Sequence, residues 1–173
     1  MTPTGRRAAR TAPLVVVMGV SGSGKTTIGS ALADRLGVPY AEADDFHPPR
    51  NIAKMSAGTP LDDRDRRPWL DAIGAWLADH GSGGVVSCSA LKRRYRDRLR
   101  QAAPEVFFVH LNGTFELIAH RLADRRGHFM PARLLRSQFE DLEPLGADEN
   151  GATVPIEGTP EETTDLAFAA LPS

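Results

Sequence analysis

Nine consecutive residues, Gly19, Val20, Ser21, Gly22, Ser23, Gly24, Lys25, Thr26 and Thr27, have types and spacing suited to holding a chain of phosphates. They complete G-x-x-x-x-G-K-[ST] directly after an apolar, strand-like run, Leu14 to Met18, which is the setting this motif requires. Glycines at 19, 22 and 24 let the backbone turn tightly and bring its N–H groups up to phosphate oxygens, where a Cβ would intrude. Lys25 puts a point charge on the terminal phosphates, and the Thr26 hydroxyl can ligate Mg²⁺. A helix starting here aims its positive end at the same anion. The pattern predicts binding of a nucleoside triphosphate, with a glycine turn that binds nothing as the competing reading.

A second group, Glu42, Asp44 and Asp45 with His47 close behind, follows a short strand at Val38 to Ala41. Ligands of open α/β sheets sit outside the carboxyl ends of the strands, so the location matters. Transfer of a phosphoryl group to a hydroxyl needs a carboxylate to orient that hydroxyl and accept its proton, and often another near the metal. Glu42 and Asp44 alternate along an extended chain and so face one side. A solvated turn rich in Asp accounts for the same residues equally well. A third group, Arg121, Arg125, Arg126 and His128 with Gly127 as a hinge, suits a lid that closes over about 121–140 and lays arginine on the moving phosphoryl oxygens. The bland alternative there is a basic surface loop.

The elements that must carry these groups alternate. Helical spacing of Ile28, Ala31, Leu32 and Leu36 ends at Gly37. The stretch 48–64 is too polar and too interrupted by proline for a core, and suits a short helix over a site. The acidic cluster Asp62, Asp63 and Asp65 precedes a helix with Pro68 in its first turn and an apolar face of Trp69, Ile73, Trp76 and Leu77. Val85 to Cys88 reads as a third strand, with Ser89 as the cap of a helix bearing Leu91, Tyr95 and Leu99. Val106 to Leu111 is a fourth, followed by a helix capped at Thr114, and Thr153 to Ile156 a fifth. Thr159-Pro160-Glu161-Glu162 is a capping box with proline at the first helical position. Strands alternating with helices predict a parallel α/β sheet covered on both faces.

Composition narrows the partners. The 173 residues suit one domain, charged residues make up 25% and the net charge is −1, so no global field favours nucleic acid or a membrane surface. The run from Lys92 to Arg100 reads as a mostly solvated helix face rather than a nucleic-acid patch, with Lys92 placed to meet an anionic substrate. One cysteine, Cys88, suits a reducing cytoplasm and reads as a small buried hydrophobe. The five histidines lack zinc spacing. Residues 1–13 are polar and basic, without a secretory core, and read as a disordered lead-in to a domain spanning 14–173. No run is long enough to span a bilayer. Neither the N-K-x-D stretch that reads guanine nor a protein-kinase H-R-D loop is present.

The chain resembles the small bacterial-type gluconokinases, P-loop kinases related to shikimate and adenylate kinases. The resemblance rests on GVSGSGKTT (19–27), EADDFHPPRNIAKMSAGTPLDDRDRRPWL (42–70), VVSCSALKRRYRDRLR (85–100) and HFMPARLLRSQFEDLEP (128–144), which appear in the family's order. Ala43 departs from it, standing where the family commonly has glycine, and a methyl there would crowd a close backbone approach. The resemblance implies a five-stranded sheet in the order 2-3-1-4-5, homodimers in many members, and transfer of a phosphoryl group from ATP, with Mg²⁺, to the terminal primary hydroxyl of D-gluconate. It implies that Asp44 holds and deprotonates that hydroxyl, that Glu42 sits near the metal with Thr26, and that His47, Lys54, Arg66 and Lys92 belong to the substrate wall. Arg121 and Arg125 match lid arginines of related kinases. Two rivals remain: a kinase of this fold with another acceptor, such as shikimate or a nucleoside monophosphate, and a nucleotide-dependent binding module without an acceptor.

Overall fold

Leu14–Met18 forms β1, and all five residues are buried. Successive side chains alternate across a strand, so an unbroken apolar run must be covered on both faces. Val16 and Met18 enter one core with Trp69, Ile73, Leu77, Leu99 and Phe108; Val15 and Val17 enter the other with Ile28, Leu32, Val109, Ile118 and Ala167. Each such side chain contributes roughly 1.5–3 kcal/mol when fully buried, so β1 anchors both layers at once.

The computed structural model describes residues 12–124 and 132–172. Gly84–Ser87 (β3) and Phe107–Asn112 (β4) pair in parallel with β1. Tyr40–Glu42 (β2) and Gly151–Pro155 (β5) close the two edges, giving the order β2-β3-β1-β4-β5. That is the 2-3-1-4-5 order the resemblance implies. The helices are α1 (Lys25–Leu36), α2 (Pro49–Ser56), α3 (Asp63–Asp79), α4 (Arg93–Ala102), α5 (Phe115–Ala123), α6 (Ala132–Asp141) and α7 (Pro160–Ala170). α1 stops at Gly37 in the left-handed region, α5 is capped by Thr114, and α7 carries its capping box. Each of these follows the sequence signal.

Several local readings change. α3 begins earlier than its proline suggests: Asp62 accepts from the Asp65 N–H and Asp65 accepts from the Asp62 N–H, so the acidic cluster is a capping box and Pro68 lies a turn further in. Ser89 is not a cap. α4 starts at Arg93 with Lys92 as its N-cap residue, so Lys92 stands before the helix. After Glu42 the chain curls into a 3₁₀ turn, Ala43–Phe46, instead of running on extended. The Ala43 methyl, expected to crowd the backbone, is taken into the core around Trp69, whose Nε1 donates to the Ala43 carbonyl at 2.7 Å.

The lead-in falls mostly outside the described residues; within them, the Ala12 N–H donates to the Ser82 carbonyl at 3.0 Å. Arg125, Arg126, Gly127 and His128 also lie outside them. Among the described residues no helix is long and apolar enough to cross a membrane.

Candidate active site

The carboxyl ends of β2, β3 and β1 lie side by side, and three cavities open along them and beyond. The first, of about 450 Å³, is lined by Ser21, Gly22, Gly24, Lys25, Thr26 and Thr27 of the phosphate loop. Facing these are Glu42, the last residue of β2, with Asp44 just beyond it, and Ser87, the last residue of β3, with Cys88 and Ser89 following. Glu42 and Asp44 thus share one cavity even though the chain between them is curled. Asp45 is exposed and is not among its lining residues.

The loop needs its glycines for shape. A Cβ on Gly19 would come within 2.9 Å of the Leu111 carbonyl oxygen, a backbone atom that cannot swing away. Gly24 caps α1 at φ 96, a left-handed conformation that a side chain would strain. Lys25 folds back so that its Nζ donates to the Val20 carbonyl at 3.0 Å. Burial pushes its pKa down, against the pull of the Asp44 and Glu42 carboxylates, which favour the cation. Burial pushes the Cys88 thiol up to about 12, so it stands in the cavity as a neutral group.

Glu42 is held by a partner the sequence reading missed. The Tyr40 hydroxyl donates to its carboxylate, and the Ser87 hydroxyl in turn donates to the Lys25 carbonyl at 2.7 Å while lying 2.8 Å from the Tyr40 hydroxyl. Burial and the Glu42 carboxylate together push the Tyr40 pKa upward. The signal was available: residues 40 and 42 share a face of one strand. This network ties the carboxylate of β2 to the first residue of α1 through β3.

The second cavity, about 280 Å³, shares Gly22, Gly24 and Thr27 with the first and continues over Ile28, Arg121, Ile156, Pro160 and Thr163. Arg121 lies here and not among the first cavity's lining, with Nη2 3.3 Å from the Gly158 carbonyl and 3.5 Å from that of Glu157. The third, about 260 Å³, shares Ser89 and Gln138 with the first and is lined further by Arg66, Trp69, Leu91, Tyr95, Leu134, Ser137 and Asp141. The three form a row with the phosphate loop in the middle.

The residues expected on a substrate wall divide. Arg66 lines the third cavity; its Nη1 lies 3.1 Å from the Tyr95 hydroxyl, which donates to Asp63 at 2.8 Å. The His47 ring stacks on Trp69 with centroids 4.5 Å apart, and Asn51 Nδ2 meets its Nδ1 at 3.2 Å. Burial lowers the His47 pKa, with Arg66 adding to the effect and Asp44 opposing it. Lys54 instead pairs with Asp65 at 2.7 Å, and that bond, followed by the Asp62 N–H of the capping box, holds the Asp65 carboxyl down to about 2. His47, Lys54 and Lys92 are absent from the lining of all three cavities, and His47 reaches the third only through the Trp69 ring on which it stacks.

Comparison with known proteins decides the family. The sequence model of the shikimate kinase family matches residues 21–147. The gluconokinase of Gluconobacter oxydans is 51% identical over 138 residues, covering 78% of each chain. The chain belongs to the gluconokinase family. The thermosensitive gluconokinase of Escherichia coli is 50% identical over 78% of this chain and 73% of its own. A crystal structure of a gluconokinase from Sinorhizobium meliloti, 48% identical, superposes with a TM-score of 0.85 over 93% of this chain and 92% of that one. Shikimate kinase from Aquifex aeolicus, 18% identical with a TM-score of 0.58, shares the fold. Family membership makes the chain an ATP-using kinase and sets aside the binding module without an acceptor.

Proposed function

We propose that the protein transfers the terminal phosphoryl group of ATP to the primary hydroxyl of D-gluconate, giving 6-phospho-D-gluconate and ADP. The observation that carries this reading is the row of three cavities. An apolar-sided pocket and a pocket holding Arg66 flank one phosphate loop, with Glu42 and Asp44 at the junction. A nucleotide laid along the first two cavities points its terminal phosphate toward the third, where the acceptor enters. This is the arrangement in-line displacement needs.

The acceptor oxygen forms its bond to the terminal phosphorus as the bond to the bridging oxygen breaks, and ADP leaves with that electron pair. Asp44 takes the hydroxyl proton. Lys25 and the N–H groups of the loop stand against the negative charge on the phosphoryl oxygens. Arg121, on the nucleoside side, holds ATP. Arg125 keeps the role of meeting the moving group in a lid over about 121–140. Arg66, steadied by Tyr95, receives the gluconate carboxylate, with His47 and Trp69 as the adjoining wall. Lys54 and Lys92 complete the charge around that wall without lining it.

Oxygen donors alone, the Thr26 hydroxyl with Glu42 and Asp44 across the same cavity, suit a hard cation such as Mg²⁺. Thr26 and Glu42 would hold it, Glu42 through water. When bound, Mg²⁺ supplies positive charge that neutralises the phosphate oxygens. The kinase domain spans 14–173 behind a short lead-in, works in the cytoplasm and pairs as a homodimer, without nucleic acid or membrane as partner. Release of ADP from Mg·ATP by the purified protein tests the acceptor, with D-gluconate beside shikimate, AMP and no acceptor. Stimulation by gluconate alone supports this reading, and stimulation by another acceptor overturns the substrate.

A further inference from the structure

Gln138 on α6 joins two walls. Its Oε1 accepts from the backbone N–H of Ser21 at 2.7 Å, and its Nε2 lies 3.1 Å from the Ser21 hydroxyl. Residues 117 positions apart are therefore clasped by one carboxamide, at the apex of the phosphate loop. The same side chain lines both the phosphate cavity and the cavity that holds Arg66.

A carboxamide has two acceptor lone pairs and two N–H donors. Among the described residues Ser21 takes one of each, which leaves one lone pair and one N–H for a second partner. The half-buried group borders a cavity that also exposes Arg66, Ser137 and Asp141, so a polyhydroxylated acceptor can engage those free positions without breaking the hold on Ser21. Fixing the long side chain costs rotamer entropy once. After the acceptor has fixed it, the phosphate loop is already held for the nucleotide, and the second ligand binds at lower cost.

We infer that Gln138 is a positioning residue that couples occupancy of the acceptor cavity to the phosphate loop, so that gluconate and ATP bind with positive cooperativity. The inference rests on the acceptor reading above. It also gives a reason for the loop to be held by α6, most of which falls within the span of the proposed lid, when its own glycine turns already shape it.

The test is calorimetric titration of the full-length protein with a non-hydrolysable Mg·ATP analogue, with and without saturating D-gluconate, alongside gluconate-stimulated ADP release. In the unaltered protein gluconate should tighten the analogue about 5-fold or more, the lower end of ordinary coupling between sites. In Gln138→Met, of similar length and without either polar function, that factor should fall to about 1, the value for uncoupled sites. Gln138→Glu keeps an oxygen for the Ser21 N–H but loses the donor and sets a negative charge beside the triphosphate. It should weaken analogue binding while keeping part of the coupling. A residue that merely supports the fold would lower Tm and both affinities and leave the coupling factor alone, so Tm is read on every sample. An unaltered protein that turns over gluconate without coupling, or a folded Gln138→Met that keeps the coupling, overturns the role of Gln138 and leaves the acceptor standing. An unaltered protein that ignores gluconate overturns both.

Discussion

Arg96 and Glu149 meet with no exposed surface on either side chain, Nε to Oε1 at 2.8 Å and Nη2 to Oε2 at 3.0 Å. The remaining guanidinium hydrogens go to the carbonyls of Ala90, Leu91 and Glu143, and Glu149 also accepts from Arg100 and the Gly146 N–H. One buried pair thus fastens the turn after β3, where Ala90 sits at φ 42, to the loop before β5. The turn it holds carries Ser89, which lines two of the three cavities. Burial pushes the Glu149 pKa up, but Arg96, the Gly146 N–H and Arg100 outweigh it and bring it to about 2.

Removing one partner leaves an unpaired buried charge, so Glu149→Gln should destabilise the protein by about 3–5 kcal/mol. Urea denaturation measures it. Arg98→Ala, which breaks the exposed pair with Asp71, is the control and should change stability little. Equal stability for both variants would show that the buried pair holds nothing.

His110 gives the fold a pH dependence. It lies in β4, 2% exposed, and its Nδ1 has no hydrogen-bond partner among the described residues. Burial, with Arg96 adding to it, lowers its pKa from 6.5 to about 4. Between those values the unfolded chain binds a proton that the folded chain refuses, so stability rises with pH across the window and is lost as pH falls through it. Tm should drop between pH 6.5 and pH 4 by more in the unaltered protein than in His110→Gln. The difference should be at least about 3 °C, the shift about 1 kcal/mol produces in a domain of this size. Parallel Tm curves for the two proteins would remove His110 as the cause.

The phosphate loop, the individual strands and most helix ends were legible in the sequence because their signals are local: glycine spacing, an unbroken apolar strand, a capping box; the order of the strands came only from the resemblance. Arg96 was not legible. It sits in a run of cations that reads as a solvated face, and only the partner at 149 makes its burial tolerable. The pairing of Lys54 with Asp65 was hidden for a related reason, since no local spacing signal joins positions 54 and 65. Gln138 stands in an amphipathic helix with nothing to mark its side chain. What it touches depends on how α6 folds back across the loop, which no spacing encodes.

Tyr40 orients Glu42 from the neighbouring position on the same face of β2, and the proposed metal role of Glu42 depends on that orientation. Tyr40→Phe keeps the ring and removes the hydroxyl. The Mg²⁺ concentration for half-maximal turnover should rise about 10-fold, the lower end for losing a hydrogen bond behind a metal ligand. An unchanged Mg²⁺ requirement would take the Tyr40–Glu42 bond out of metal binding.

Lys25 and Asp44 belong to opposite walls of one cavity and should fail in different ways. Lys25→Ala removes the cation opposite the phosphates and should lower kcat by about 100-fold or more, as single electrostatic groups in such sites do. Retained turnover in a folded Lys25→Ala would sink the phosphate-loop assignment. Asp44→Asn keeps the shape and loses the proposed base, so calorimetry should find the ATP analogue bound while ADP release with gluconate is lost. The electrostatics sharpen the contrast, because Asp44 is one of the groups that hold Lys25 in its charged form against burial. Losing the carboxylate makes the cation easier to deprotonate, so any residual turnover of Asp44→Asn should fall off at a lower alkaline pH than that of the unaltered protein. Undiminished transfer by Asp44→Asn would remove Asp44 from the mechanism, and an unmoved alkaline limb would separate it from Lys25.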